Sequence, residues 1–309
     1  MNNRPRIILD CDPGVDDAFA VVAAARWADL VGITTVAGNV SLACTTNNAL
    51  RLRDLLGLKV PVHTGAEGPL KGTPVFADHV HGVDGLGGID LPEPTSGPDS
   101  ENAIEYLVES TRSEEGLHLV PIGPLTNIAL ALKADPSLAH RVASITLMGG
   151  STQGLGNVTA GAEFNIYADP EAAEIVFQSD SPLTMIGLNL THQVQVGAPE
   201  ISFCRAVDSP VGAAMTHLLE FYADFYRNHL QAETGAMHAP CAVLALPPPE
   251  LFTFSPRAVN VETTGTHTRG MTQVDERGNG SDQTPNCSVA YQAESAAIIG
   301  LIKQAIAES

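Results

Sequence analysis

The sequence predicts an α/β fold: a single open doubly wound (Rossmann-like), mainly parallel sheet with helices on both faces. Three observations predict it. Short apolar runs rich in β-branched residues alternate with helix-like runs along most of the 309 residues. Ala, Val, Leu, Ile and Gly dominate while aromatics are only 5%, as suits strands buried on both faces beneath helices. No linker, repeat or low-complexity stretch divides the chain, so one domain over 1–309 is expected.

The first strand is Arg6-Ile7-Ile8-Leu9. It runs into Asp10-Cys11-Asp12-Pro13-Gly14-Val15-Asp16-Asp17, and a buried helix follows over 18–25. Pro13 and Gly14 shape the turn. Asp16 and Asp17 open the helix, where negative charge meets the positive end of its dipole. The acids therefore lie at the carboxyl end of a strand, the edge at which open α/β sheets bind ligands. Four carboxylates in eight residues resist joint ionisation unless a cation sits among them. Carboxylate oxygens favour a hard divalent ion such as Ca²⁺ or Mg²⁺.

A second strand over 30–36 ends in Ala37-Gly38-Asn39, which presents Asn39 at the same edge. A helix over 45–56 and a strand over 59–63 come next. The stretch 64–98, rich in Gly, Pro and Asp, reads as a functional loop. It carries His79 and His81. Two histidines without a third or a cysteine nearby make a poor zinc site, so they are read as substrate contacts. After a helix over 101–111, the strand over 117–122 meets Gly123-Pro124-Leu125-Thr126-Asn127 and a helix over 128–133. This second strand-Gly-helix turn offers a main-chain carbonyl, or simply an N-cap at Thr126.

The strand over 143–148 ends in Gly149-Gly150. A polar glycine-rich segment runs to Gly161, then Ala162-Glu163-Phe164-Asn165 is read as extended, with Glu163 and Asn165 on one side. Such a pair suits the vicinal hydroxyls of a sugar. Asp169-Pro170-Glu171 starts a helix to about 178. A strand over 182–188 ends in Asn189-Leu190-Thr191-His192. A long helix over 211–231 carries Phe221, Tyr222, Phe225 and Tyr226 at an end able to cover a site. A helix over 242–246, strands over 258–261 and 268–274, and a helix over 290–307 complete the chain.

Composition excludes several function classes. Thirty-five acids against 16 bases give a net charge of −19, which repels a phosphate backbone. Five scattered cysteines form no CxxC pair, so neither a disulfide framework nor a zinc site is expected. There is no dinucleotide-binding Gly-x-Gly-x-x-Gly or Gly-Lys-Ser/Thr phosphate loop. The first residues, Met1-Asn2-Asn3, carry no signal pattern and no apolar run spans a bilayer, so a cytoplasmic location without membrane contact is expected.

These motifs, with Met148-Gly149-Gly150, Asn157 and the region around His238, resemble those of the inosine-uridine-preferring nucleoside hydrolase family in order and spacing. The resemblance implies Ca²⁺-dependent hydrolysis of the N-glycosidic bond of ribonucleosides by a homodimer or homotetramer. It implies Asp12 as metal ligand and general base, Asp17 and the Thr126 carbonyl as further ligands, and Asp10 as support. Asp16 and Asn39 would hold the ribose; Met148, Asn157, Glu163, Phe164 and Asn165 would contact the sugar. The resemblance also implies His238 as catalytic acid, near the base with His81, Tyr222 and Tyr226. Purine and pyrimidine remain equally open.

One position departs from the pattern. The family carries Asp after this histidine, as a metal ligand, and this chain has Ala239. The implied consequence is weak metal binding and slow turnover. Two alternatives stand beside the enzyme: a ribonucleoside-binding protein without catalysis, and a haloacid-dehalogenase-type phosphatase, whose strand-Asp-x-Asp opening is similar.

Overall fold

The structure, a computed structural model, describes residues 4–246, 249–278 and 281–309; the expectation drawn from Met1-Asn2-Asn3 lies outside them. The chain opens with β1 (Arg6–Cys11), α1 (Val15–Trp27), β2 (Asp29–Thr35), α2 (Leu42–Leu55) and β3 (Val62–Thr64). It continues with α3 (Asp78–His81), α4 (Ala103–Ser113), β4 (His118–Pro121), α5 (Thr126–Ala134), α6 (Leu138–Arg141) and β5 (Ser144–Met148). Then come α7 (Phe164–Ala168), α8 (Pro170–Phe177), β6 (Leu183–Ile186), α9 (Leu188–Thr191), β7 (Gln195–Val196), α10 (Ala198–Ala206) and α11 (Pro210–Phe225). The last part holds β8 (Gly235–Ala236), α12 (Ala239–Leu244), β9 (Phe252–Arg257), β10 (Val259–Val261), β11 (Thr272–Val274), β12 (Cys287–Ala293) and α13 (Ser295–Ala307).

Eight strands make one sheet in the order β3-β2-β1-β4-β5-β6-β12-β9. Every pairing is parallel except that of β12 with β9, so the mainly parallel α/β sheet is as expected. Alternation along β1 feeds two cores. Ile7, Leu9 and Cys11 join a core with residues of α1, α11, α12 and α13, while Ile8 joins the opposite core with residues of α4, α5 and α8. Helix α1 is apolar nearly all round because it is enclosed by the sheet, α12 and α13.

Topology positions the site. Strand β1 lies between β2 and β4, parallel to both, with Asp10 level with Thr34 on one side and Pro121 on the other. The turns that leave the three strands thus converge at one edge.

Several boundaries differ from the sequence reading. The stretch 64–98 contains the short helix α3. Residues 164–168 are helical rather than extended, because the Glu163 carboxylate caps the main-chain amides of Asn165 and Ile166. Helix α11 stops at Phe225 and gives way to a wide, π-type turn over Tyr226–Leu230, closed by Gln231 at φ 53°. The expected helix over 290–307 is strand β12 followed by α13. Helix α10 and strand β9 had no counterpart in the reading.

Candidate active site

The acid turn is built around three buried carboxylates, each left partly unsatisfied. Asp10 and Asp12 are fully buried, and Asp16 and Asp17 nearly so. The Asn39 amide donates to Asp12 Oδ2 at 2.7 Å, and Asn39 Nδ2 donates to the Asp12 carbonyl and to Asp17 Oδ2, both at 3.0 Å. Gly14 N–H adds a bond to Asp17 Oδ2 at 3.2 Å. Asp10 Oδ1 accepts from Thr34 at 2.6 Å and from Asn127 at 2.7 Å. One oxygen of each acid stays without a partner among the described residues: Asp10 Oδ2, Asp12 Oδ1 and Asp17 Oδ1. Burial, then repulsion from Asp17, pushes Asp12 well above the usual carboxylate range. Burial and Asp16 push Asp17 up to about 8. Burial raises Asp10 to about 6 against its hydrogen bonds.

A cation would satisfy these groups. Among the described residues, the hydrogen bonds to Asp12 and Asp17 come from main-chain amides and Asn39, and none comes from a basic side chain. The donor set is hard oxygen throughout, which suits Ca²⁺ or Mg²⁺. No group of three His, Cys, Asp or Glu among the described residues forms a metal site unaided. Ala239 is buried, and only its amide reaches the cluster, donating to Asp16 Oδ2 at 3.0 Å.

Thr126 is not where the resemblance put it. It opens α5, its hydroxyl donates to Asp169 at 2.8 Å, and it does not line the cavity. The carbonyl of a first-turn residue is directed along the helix toward the amide four residues on. The main chain beside Asp12 lies three to four residues earlier. Ile122 lines the cavity, and a Cβ on Gly123 would meet Asp12 Oδ1.

Above the acids opens a cavity of about 770 Å³. It is lined by Asp16, Asp17, Asn39, His81, Met148, Asn157, Glu163, Phe164, Asn165, Tyr222, Tyr226 and His238, all expected from the sequence. Asp10 and Asp12 lie beneath it. Glu163 is spent on structure as well: Oε1 accepts from Asn165 N, and Oε2 from Gly150 N at 2.9 Å and Ile166 N at 3.1 Å. Burial nevertheless raises it to about 7. Asn165 Nδ2 donates to the carbonyls of Ile122 and Met148 at 2.9 and 3.1 Å, locking its amide across two strand ends.

The histidines are held in defined states. His81 Nδ1 accepts from Val15 N–H at 3.0 Å, which leaves the proton on Nε2. His238 Nδ1 pairs with the Thr191 hydroxyl at 2.8 Å. Burial pushes His238 down to about 4, although Asp16 pulls the other way. The downward shift favours the neutral ring, which keeps one N–H for hydrogen bonding but not the second proton of an imidazolium. Tyr222 OH donates to the Ala236 carbonyl at 3.2 Å and packs edge-on against Tyr226.

The reading of residue types overlooked several wall residues: His192, Gln195, His229 and Thr234. The His192 ring lies 5.7 Å from that of His238. A signal existed, since the strand before it ends on the same edge as the acids.

A family model for "Inosine-uridine preferring nucleoside hydrolase" matches residues 7–299. The chain belongs to this family. The nucleoside hydrolase family also supplies its curated relatives. A pyrimidine-specific ribonucleoside hydrolase RihA from Shewanella woodyi is 44% identical over 308 residues, 98% of each chain. A RihA of the same description from Escherichia coli is 46% identical over 274 residues, covering 87% of this chain and 88% of its own. Among solved structures, the plant nucleoside hydrolase PpNRh1 superposes with TM-score 0.94 at 32% identity, over 99% of this chain and all of its own. A purine-preferring ribonucleoside hydrolase from Gardnerella vaginalis gives 0.92 at 32%, over 98% of each chain. The chain is thus a nucleoside hydrolase by family, and the phosphatase alternative falls away. No described helix is long and apolar enough to cross a membrane.

Proposed function

We propose that the chain cleaves the N-glycosidic bond of ribonucleosides, pyrimidine ribonucleosides foremost, with Ca²⁺ at the acid turn and at a rate depressed by Ala239. The observation that carries this reading is the pair of unpartnered buried oxygens, Asp12 Oδ1 and Asp17 Oδ1, under a cavity of nucleoside size. The pyrimidine preference rests on the descriptions of the RihA relatives.

In this reading Asp12 and Asp17 hold the ion, with main chain near Ile122 beside them. When bound, the ion neutralises the acid turn and makes a water more acidic. Asp12 would take a proton from the water whose oxygen bonds to the ribose C1′ while the C1′–N bond breaks and its electron pair leaves with the base. Asp16 and Asn39 bind ribose hydroxyls and fix the ring over the turn. As the bond to the base stretches, positive charge grows on the ribose, and the ring of carboxylates stabilises it. Neutral His81 and His238 offer hydrogen bonds to the departing base. A cytoplasmic location and a homo-oligomeric state are proposed on the family resemblance alone.

Ala239 favours one second reading, a protein that binds ribonucleosides with little or no turnover. A reducing-sugar assay over a nucleoside panel, with and without Ca²⁺, separates the two. Release of ribose from uridine or cytidine only when Ca²⁺ is present supports the enzyme. Calorimetric binding of uridine with no ribose released over long incubation supports the binder. Release of ribose undiminished by chelator would overturn the metal-dependent mechanism.

A further inference from the structure

We propose that Thr272, on a hairpin outside the main sheet, is a positioning residue for the cavity wall formed by 156–158. The functional part of this inference rests on the nucleoside reading above; the structural part does not.

The wall belongs to the glycine-rich segment between β5 and α7. Gly156, Asn157 and Val158 line the cavity. The segment has no strand partner. It is held from behind by β10 and β11, which pair antiparallel with Val261 level with Thr272. That hairpin contributes no residue to the cavity lining. It is itself fixed to α8: Val259 and Val261 are buried in the adjoining core, Glu174 accepts the Val261 amide at 3.0 Å, and Arg269 pairs with Glu171 at 2.8 Å.

One hydroxyl joins hairpin to segment. Thr272 Oγ1 accepts the Ser151 amide at 2.9 Å and donates to the Ser151 carbonyl at 2.7 Å. Thr272 is 1% exposed, and neither Ser151 group makes another main-chain bond outside helices and strands. The approach is close enough to dictate the preceding residue. Gly150 takes φ 68°, and a Cβ on it would stand 2.6 Å from Thr272 Cγ2. The Gly150 amide in turn donates to Glu163 Oε2. Met271 stands beside both sides of the loop's neck: a Cβ on Gly154 would lie 3.3 Å from its Cε, and one on Gly161 3.5 Å from its Sδ. Inside the neck, Asn157 Oδ1 accepts the Phe164 amide at 2.9 Å. A continuous set of contacts thus runs from the hairpin through Ser151 to the residues facing the ligand.

Displacing groups that orient a substrate by about 1 Å costs up to about a hundredfold. A wall that meets the substrate in ground and transition states alike should act mainly on KM. We therefore expect Thr272→Val, which keeps the shape and removes the hydroxyl, to raise KM and the uridine Kd about tenfold, with kcat changed less than about threefold. Thr272→Ser, which keeps the hydroxyl, should stay within about twofold of the parent.

The experiment measures ribose release and calorimetric uridine binding with Ca²⁺, plus amide exchange, on full-length parent, Thr272→Val, Thr272→Ser and Met271→Ala. Faster exchange at Ser151 and 156–158 in Thr272→Val, with β1 unchanged and Thr272→Ser restored, is the supporting result. Parent-like loop exchange and parent-like KM and Kd in a folded Thr272→Val overturn the proposal. So does a Thr272→Ser as impaired as the valine variant. If Thr272→Val does not fold, Met271→Ala decides by the same readouts, since it loosens the neck without touching the hydroxyl. If the parent neither binds nor cleaves any ribonucleoside, the functional reading fails; loop exchange then still decides the clamp.

Discussion

Gly123 presses so closely on Asp12 that a Cβ on it would lie 2.4 Å from Oδ1, and one on Gly38 would lie 2.1 Å from Oδ2. The carboxylate is therefore clasped between two main-chain turns, one from β2 and one from β4. Neither position has room for a methyl group unless Asp12 moves. Gly123→Ala should lower kcat/KM by about a hundredfold or more, in line with the cost of misplacing a reacting group. Its far-UV circular dichroism should match the parent. A folded Gly123→Ala with parental kinetics would show that Asp12 is not held for chemistry.

Ala239→Asp should strengthen cation binding at the acid turn. A third carboxylate beside Asp16 raises the negative charge that holds a hard cation. The expected outcome is Ca²⁺ affinity at least about tenfold higher, read by calorimetry, with faster ribose release. Identical affinity and rate in both proteins would remove Ala239 from the account of slow turnover.

Asp12→Asn separates function from stability. The parent keeps an uncompensated carboxylate in a fully buried place, which disfavours the folded state without a cation. The amide retains an oxygen for the Asn39 N–H and removes the charge. In chelator the variant should melt higher than the parent, while ribose release falls by about 10²–10⁴-fold with the general base gone. Calorimetric melting with and without Ca²⁺ checks both; a lower metal-free Tm would contradict the buried-charge argument.

Metal-free stability should fall as pH rises. Asp10, Glu163 and Asp17 have folded-state pKa values raised to about 6, about 7 and about 8. For a raised acid the folded state holds the proton more tightly than the unfolded chain. Its stabilising contribution is complete below the unfolded value near 4 and is lost through the folded value. The loss therefore runs from about pH 4 to about pH 8. Saturating Ca²⁺, which favours the ionised acids, should flatten the upper part of that slope. Melting curves between pH 5.5 and 8.5 in chelator and in Ca²⁺ test this, and equal slopes would count against it.

Local chemistry was legible where neighbours in sequence are also neighbours in space. The Asp10 to Asp17 turn, Asn39 and the cavity residues from Met148 to Asn165 were readable because each follows a strand on one sheet edge. Long-range choices were not. Strand β12, Cys-Ser-Val-Ala-Tyr-Gln-Ala, merges by composition with the helix after it, and only pairing with β6 and β9 makes it a strand. Glu163 suits sugar hydroxyls by residue type, but it accepts three amides: those of Asn165 and Ile166 come from a helix start that an extended pattern does not show, and that of Gly150 comes from the turn after β5. Thr126 fell on the correct turn but on the wrong side of the helix boundary. His192 was passed over because its role depends on a cavity assembled from distant segments.

Strand β12 has a further meaning for how the molecule is made. It inserts between β6 and β9, so residues 287–293 close a gap opened more than a hundred residues earlier. A nascent chain still lacking them leaves the edge of β6 open, whatever its upstream strands have done. The finished sheet thus waits for residues 287–293 to be made, and a chain cut short before this point would carry an adhesive flank.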